Sequence, residues 1–456
     1  MPTFTRRTEF PVPVETLFAW HERPGALERL TPPWDRLTVA ERSGGIRDGA
    51  RVVLNVPAGP VSTRWVMEHE GYVPNAQFRD VMRRGPFARW EHTHRFMSLG
   101  AGRSALEDVV EYALPLGVLG RIGGGAFARS KIRRAFDYRH AVTTADLARH
   151  ATFAHHPPMH VAITGSTGLI GSALVPFLTT GGHTVRRVVR DPSTAQPGDV
   201  VWDPARGQID RAALEGVDAV IHLAGESVSE RWTREHKAAI RSSRVQGTTL
   251  IAEAIAGLAR PPRVLVSTSA VGIYGDGGDR EINETGPHGR DFLAEVAGEW
   301  EAAADPARRA GIRTVHPRLG VVLSPRGGAL ERLLPPFQLG GGGKIGSGRQ
   351  WMSWIGIDDT IGALHHLLHT ASLEGPVNVT APHPVTNGEF SKTLAHVLGR
   401  PALITVPGFA LKAMFGEMAE VMLLQGQRVL PARLLESGFM FRHPTLEQAL
   451  RFELGR

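Results

Sequence analysis

Between residues 159 and 323, short apolar runs alternate with longer stretches of helical periodicity. VAITG, TVRRVVR, VVW, AVIHLAG, RVLVSTSA and TVHPRLGVVL read as buried strands with helices between them. This rhythm predicts a parallel, doubly wound sheet of α/β class. Residues 1–145 carry a different pattern. FTRRTEF, ARVVLNVPAG, STRWVMEHEGYV, QFRDVMRR, WEHTHRFMSL and SALEDVVEYAL alternate partially and are separated by Gly, Pro and Asn, as antiparallel strands are. Helical patches cover Val14 to Leu30 and the stretch after Gly125 through Arg134 and Phe136. Residues 146–158 lack a sustained apolar period and read as a linker. From about 325 the pattern is mixed, with the loop LLPPFQLGGGGKIGSGRQW and a Met/Leu-rich helical segment from 407 onward. The chain thus divides into an α+β domain (1–145), a linker (146–158), an α/β domain (159–400) and a C-terminal helical extension packed on it (401–456).

The first strand of the α/β part runs into VAITGSTGLIGSA, residues 161–173. Gly165, Gly168 and Gly171 are spaced three apart between a strand and a helix. In such a turn the first glycine makes the bend, the second lets backbone approach a pyrophosphate, and the third lets helix pack on strand. A second strand, Thr184 to Val189, follows at the distance a dinucleotide fold requires.

Composition narrows the classes. The chain has 456 residues, 42% hydrophobic and 21% charged, ordinary for a globular protein with two or three cores. It has no cysteine, so disulfides, thiolate metal sites and a cysteine nucleophile are excluded. The start, MPTFTRRTEF, has no apolar signal core, and no run of about 18 apolar residues spans a bilayer; a cytoplasmic protein without a membrane partner is expected. Net charge is +7, and residues 1–150 hold most of it, with 22 Arg/Lys against 16 Asp/Glu. These charges are scattered rather than striped, and no nucleic-acid partner is expected.

TGSTGLIG, IHLAG, VQGT, STSAVGIYG and WIGIDD together resemble the extended short-chain dehydrogenase/reductase (epimerase) family. HLAGESVSERWT, SAVGIYGD, DFLAEVAGEWE, GGALERLLPPFQLG, SGRQWMSWI and GQRVLPARLLESGF look like its epimerase-like branch, which carries a C-terminal domain of unknown function and was once labelled cell-division inhibitor. The likeness covers about 159 to 454 and implies a Rossmann-type sheet with a small C-terminal α+β part. The strand and helix order of residues 1–145 resembles the START/polyketide-cyclase-like helix-grip fold. That likeness implies a sheet wrapped on a helix, with an apolar ligand as one occupant and a purely structural appendage as the other reading.

The expected cofactor contacts are the turn itself (Gly165, Ser166, Thr167, Gly168, Leu169, Ile170 and Gly171) and the end of the second strand. An NAD-selective site places an acid about 20 residues beyond the glycines. Here Val189-Arg190 stands there, and no acid precedes Asp191. Arg190 suits a 2′-phosphate, with Arg186 or Arg187 adding positive field, so NADP(H) is the expected cofactor; a solvated arginine cluster is the plain alternative. The family likeness further implies that Asp203 approaches the adenine, that His222, Leu223 and Ala224 line the ribose and pyrophosphate, and that Arg244 stands where an asparagine is common.

The chemistry is less complete. Related reductases use Tyr-x-x-x-Lys, in which lysine lowers the tyrosine pKa. The tyrosines here are 72, 112, 138 and 274, followed four residues on by Ala76, Leu116, Val142 and Gly278. At the corresponding helix stand Phe292 and Val296. The candidate groups that remain are Ser269, Tyr274 and Glu295, with Glu299 one turn beyond Glu295. The arginine that grips a sugar nucleotide in epimerases is replaced by Met352, with Arg349 offset, while Trp351 and Trp354 read as core or pocket lining. GGGGKI lacks the Ser/Thr of a phosphate loop. Neither His365, His366 and His369 nor the pair His92 and His94 is read as a metal site, and no metal is expected. Two functions follow: an NADP(H)-dependent oxidoreductase or epimerase acting on a small molecule that the sequence does not name, or a non-catalytic protein that senses NADP(H) or a ligand.

Overall fold

The computed structural model describes residues 2–58 and 61–456. The run ARVVLNVPAG therefore ends, at residue 59, outside the described residues. Two compact units form: Met1–His155 with Pro176–Gly182 and Gly455, and the remainder from His156 onward.

The first unit is one antiparallel sheet and three helices. Its strands are β1 (Thr3–Phe10), β2 (Thr38–Ser43), β3 (Arg51–Ala58), β4 (Val61–Val73), β5 (Gln77–Arg84), β6 (Arg89–Gly100) and β7 (Arg103–Ala113), in the order β1-β7-β6-β5-β4-β3-β2. Strand β2 escapes the sequence pattern because all of its side chains are exposed, so nothing alternates. The early helical patch is two helices, α1 (Val14–Glu22) and α2 (Ala26–Leu30). Pro24 cannot continue α1, and Gly25, at φ +98°, turns the chain through the left-handed region. Phe18 of α1 meets Phe78 and Phe96 of the sheet at ring separations of 6.4 and 5.0 Å. Leu17, Trp20 and Phe10 complete that core.

The closing helix, α3 (Gly117–Thr152), corrects two expectations. It begins before Gly125, in a glycine-rich stretch that reads as a breaker. It also runs through residues 146–152, which read as linker. Those last turns are held by a few buried groups rather than by an apolar stripe: Leu147 is buried, and Asp146 takes both Nε and Nη2 of Arg29 at 2.7 Å. Between the sheet and α3 the interior is polar at its middle, where His92, His94, Asp108 and His140 are buried.

The second unit has a nine-stranded sheet. Its elements are β8 (His160–Thr164), α4 (Leu169–Thr180), β9 (Thr184–Val189), β10 (Val200–Asp203), β11 (Gln208–Ile209), β12 (Ala219–His222), α5 (Arg234–Ala256), β13 (Val264–Ser267), β14 (Ser269–Ala270), β15 (Glu281–Ile282), α6 (Phe292–Ala302) and β16 (Arg313–Leu319). The sheet order is β11-β10-β9-β8-β12-β13-β16-β14, with the strand Gly375–Val379 beside β16; β15 lies outside this sheet, on Arg428–Val429. All pairs are parallel except β10 with β11. Val161, Ala162 and Ile163 of β8 have no exposed surface, as strands covered on both faces should. Strand order reverses between β8 and β12, and the crevice beyond the carboxyl ends at such a reversal is where this architecture binds ligands. A further core of Leu330, Phe337, Trp354, Phe390, Leu394 and Leu450 joins the C-terminal helices. No helix among the described residues is long and apolar enough to cross a membrane.

The Arg29–Asp146 pair is almost wholly buried, at 5% and 1% exposure. Asp146→Ala should therefore leave a buried guanidinium short of its counter-charge and cost on the order of 3–5 kcal/mol. Asp137→Ala, which removes the exposed pair with Arg6, should cost less than about 1 kcal/mol. Denaturant unfolding of the two variants checks this, and equal losses would contradict it.

Candidate functional site

The glycine turn is built by close backbone contact. Gly165 has φ +64°, and a Cβ there would lie 2.9 Å from the carbonyl carbon of Leu223 and 3.0 Å from the nitrogen of Ala224. A Cβ on Gly171 would lie 2.2 Å from the Gly165 oxygen. The N–H of Gly168 bonds back to that oxygen at 3.0 Å, and α4 starts one residue later. Its first N–H groups have no partner within the helix and are presented in the crevice beyond β8 and β12.

Thr164 fixes the two strand ends against each other. Its Oγ1 accepts the N–H groups of Leu223 and Ala224 at 3.0 and 3.2 Å. It therefore donates its own proton to Nδ1 of His222, 2.8 Å away. Burial lowers the His222 pKa to about 4, so the ring is neutral and can accept. His222 is thus a wholly buried brace with its ring edge-on to Trp202. Leu223 and Ala224 remain partly exposed beside the turn.

Arg186 and Arg187 lie in β9 and Arg190 follows it, and the three differ in what they do. Arg186 gives Nη1 to the carbonyls of Ala213 and Glu215 at 2.7 and 3.1 Å. Arg187 is paired with Asp199; burial acts to raise that carboxyl, but the arginine outweighs it and holds it low. Their positive charge is spent inside the protein. Arg190 is exposed at the end of β9, with no partner among the described residues. Asp203 caps the turn after β10, accepting the N–H groups of Ala205 and Arg206. Arg244 closes the far side: Nη1 bonds the carbonyls of Glu226 and Ile240 at 3.0 and 3.2 Å, and the guanidinium lies over Trp300. Burial lowers its pKa to about 10.

Helix α6, where the family likeness leads one to expect Tyr-x-x-x-Lys, is capped by Asp291. Phe292 lies in an apolar cluster with Trp232, Val296, Phe415, Met418 and Met422. Phe292 and Val296 thus pack on the C-terminal segment. Lys237 stands 4.5 Å from the Phe292 ring and is ion-paired with Glu417. Glu295 is 59% exposed and shares Arg241 with Glu299; it belongs to a solvated ion pair, not to a pocket.

Tyr274 and Ser269 are buried. Tyr274 donates its hydroxyl proton to Asn378 Oδ1 at 2.7 Å and accepts from Arg318 Nη1 at 2.8 Å. Burial raises its pKa and Arg318 only partly offsets this, so the phenol keeps its proton. Arg318 also forks onto Glu301 at 2.8 and 2.9 Å. Burial acts to raise Glu301, but Arg318 overrides it and holds the carboxyl below its usual range. Ser269 stands near that carboxylate, yet its hydroxyl makes no hydrogen bond of sound geometry. Arg318, Glu301, Asn378 and Glu284, which accepts the N–H of Asn378, were not singled out from the sequence. The usable signal was a lone arginine inside the apolar strand TVHPRLGVVL. Trp354 is core, Trp351 bonds Asp279 through Nε1 at 2.8 Å, and Arg349 is exposed.

Comparison with known proteins agrees with this geometry. Residues 161–380 match the NAD dependent epimerase/dehydratase family, 406–453 the domain of unknown function DUF1731, and 10–135 the polyketide cyclase / dehydrase and lipid transport family. An epimerase family protein of Mycobacterium bovis is 43% identical over 299 residues, 65% of this chain and 98% of the relative. The crystal structure of a nucleoside-diphosphate sugar epimerase from Corynebacterium glutamicum is similar over 99% of this chain and 90% of its own, with 35% identity and a TM-score of 0.82. Human epimerase family protein SDR39U1, solved with NADPH, matches 65% of this chain and 99% of its own at 38% identity and a TM-score of 0.59. With a Rossmann-type unit, a C-terminal DUF1731 segment and a polyketide-cyclase-like N-terminal unit, the chain belongs to the NAD-dependent epimerase/dehydratase family, among the epimerase family proteins of SDR39U1 type.

Proposed function

We propose that this protein binds NADP(H) and acts as an oxidoreductase or epimerase on a small molecule, without a lysine-activated tyrosine. The observation that carries the cofactor reading is the cradle at Gly165 and Gly171, where a Cβ would strike backbone. The donor chemistry fits: N–H groups at the start of α4 for the pyrophosphate, and the uncommitted Arg190 for a 2′-phosphate. The NADPH bound to the human relative supports the same choice. A nicotinamide bound there supplies hydride transfer.

The chain's own residues do the rest. Thr164 and His222 lock the two loops that orient the cofactor, and Arg244 holds the loop at Glu226 from behind. The Ser269 hydroxyl, at the carboxyl end of the sheet, is the group assigned to the substrate's proton. Tyr274 is a positioning residue, because both of its hydrogen bonds are used to join Arg318 and Asn378. The exposed ion pair at Glu295 removes that residue from the proposed chemistry. A second reading, cofactor sensing without turnover, is favoured by Phe292 and Val296 being built into an apolar cluster.

Calorimetry separates NADPH from NADH. NADPH should bind about 10–100-fold tighter, as a charge-assisted bond worth roughly 1.5–3 kcal/mol provides, and Arg190→Ala should abolish the preference. Equal affinities in the wild type would overturn the NADP(H) assignment.

Tyr274→Phe tests the division of labour. It should lower thermal stability, costing about 1–3 kcal/mol for the stranded Asn378 and Arg318 groups, while NADPH affinity is kept. A rate loss of about 10²-fold or more at unchanged stability would instead make Tyr274 the proton carrier.

A further inference from the structure

The polar interior of the first unit has a definite construction. Cross-strand register places His69 of β4 opposite Asp80 of β5, Asp80 opposite His92 of β6, and His94 of β6 opposite Asp108 of β7. His92 and His94 are two apart on one strand and so share a face. Asp108 Oδ1 lies 3.0 Å from Nε2 of His92 and 2.8 Å from Nδ1 of His94, and its Oδ2 lies 2.7 Å from Nε2 of His140 on α3. On the other side, Asp80 Oδ2 lies 3.5 Å from Nδ1 of His92 and 3.3 Å from Nε2 of His94. Its Oδ1 faces Nε2 of His69 at 2.9 Å.

Each of the two central imidazoles therefore meets a carboxylate at both nitrogens. A neutral imidazole carries one N–H, so a ring that meets a carboxylate at both nitrogens needs either a second proton, which the two carboxylates favour on His94, or a metal ion in its place. Nδ1 of His94, wholly buried, makes no hydrogen bond of sound geometry despite its nearness to Asp108. The separations on the Asp80 side exceed the 2.7–2.9 Å typical of charge-assisted hydrogen bonds. They match the edge of a zinc tetrahedron with bonds near 2.0–2.1 Å, which is about 3.3 Å. Ligand atoms of Asp80, His92 and His94 all lie within 4.8 Å of one another. Phe78 stacks on His94, Phe136 meets His92 edge-on, and the buried His21 ring lies 6.2 Å from His94. The nearby cation, Arg139, gives Nε to the carbonyl of Leu30 and rests on the Phe136 ring.

We propose that Asp80, His92 and His94 bind a divalent first-row transition-metal ion of the zinc type, with Asp108, hydrogen-bonded to Nε2 of His92, as the outer carboxylate. Such outer carboxylates, donated to by the second ring nitrogen, are a regular part of histidine metal sites. His69 stands outside this set, its Nε2 facing Oδ1 of Asp80 and its Nδ1 near the carbonyl of Ala50. Asp80 is the one partly exposed member, at 21% against 2% and 7% for His92 and His94, so the ion would meet its further ligand, water or an oxygen donor, on the Asp80 side. The unit would then hold a metal where the helix-grip likeness implies an apolar ligand.

The test is a Zn(II) titration by calorimetry, with Co(II) as a visible-absorption probe, on chelator-treated full-length protein. His183, His365 and His369 also bring ligand atoms within 4.8 Å of one another, so the titration is done on the His369→Ala background. One equivalent should bind, and Co(II) should give the intense absorption of a four-coordinate site. His94→Ala should abolish both, and Asp108→Asn should weaken binding about 10–100-fold. Should His94→Ala fail to fold by circular dichroism, Asp80→Asn, at the exposed edge, should lose the metal with its fold kept. No saturable binding by the His369→Ala protein, or equal affinity in the folded Asp80→Asn variant, would overturn the proposal.

Discussion

The second unit depends on one close approach. The turn after β8 rests on the loop after β12 with backbone against backbone, and only glycine at 165 allows it. Thr164 then ties the loops with one hydroxyl that accepts two N–H groups and donates to His222. The donation requires a neutral ring, which complete burial enforces. A sheet whose order reverses at these two strands thereby presents a helix N-terminus and two strand ends to the same crevice.

In the same unit, Phe292 and Val296 of α6 are packed with Phe415, Met418 and Met422 from the C-terminal segment. The nearest polar machinery is set deeper, where Arg318 bridges Glu301 and Tyr274. Such a network is costly to leave half-satisfied, and its buried charges are paired. It joins Tyr274, the strand residues Arg318 and Asn378, and the Leu430 carbonyl, while the hydroxyls of Ser267 and Ser269 nearby in sequence make no well-formed bond.

Most of the fold was legible because its signals are local. The βαβ strands are continuous apolar runs, and the glycine spacing reports a turn directly. What escaped was set by long-range pairing. Strand β2 is exposed on both faces, so no alternation marks it. The end of α3 is anchored by Asp146 to Arg29, distant in sequence. Glu295 looked like an acid/base by its position on α6, but Arg241 from another helix claims it. Of Arg186 and Arg187, either of which the sequence offers as positive field for the cofactor, Arg187 is paired with Asp199 and Arg186 bonds the carbonyls of Ala213 and Glu215. The His/Asp cluster draws on β4 to β7 and α3; only His92-x-His94 is visible in sequence, and two histidines on one strand ordinarily mean little.

The central claim is that the glycine cradle and Arg190 together hold NADP(H). The crystal structure of the full chain grown with NADPH tests it most directly. The account predicts the pyrophosphate on the N–H groups at the start of α4 and the 2′-phosphate within hydrogen-bonding distance of Arg190. Density for the cofactor with its 2′-phosphate turned away from Arg190, or a crevice that stays empty at saturating NADPH, would contradict it.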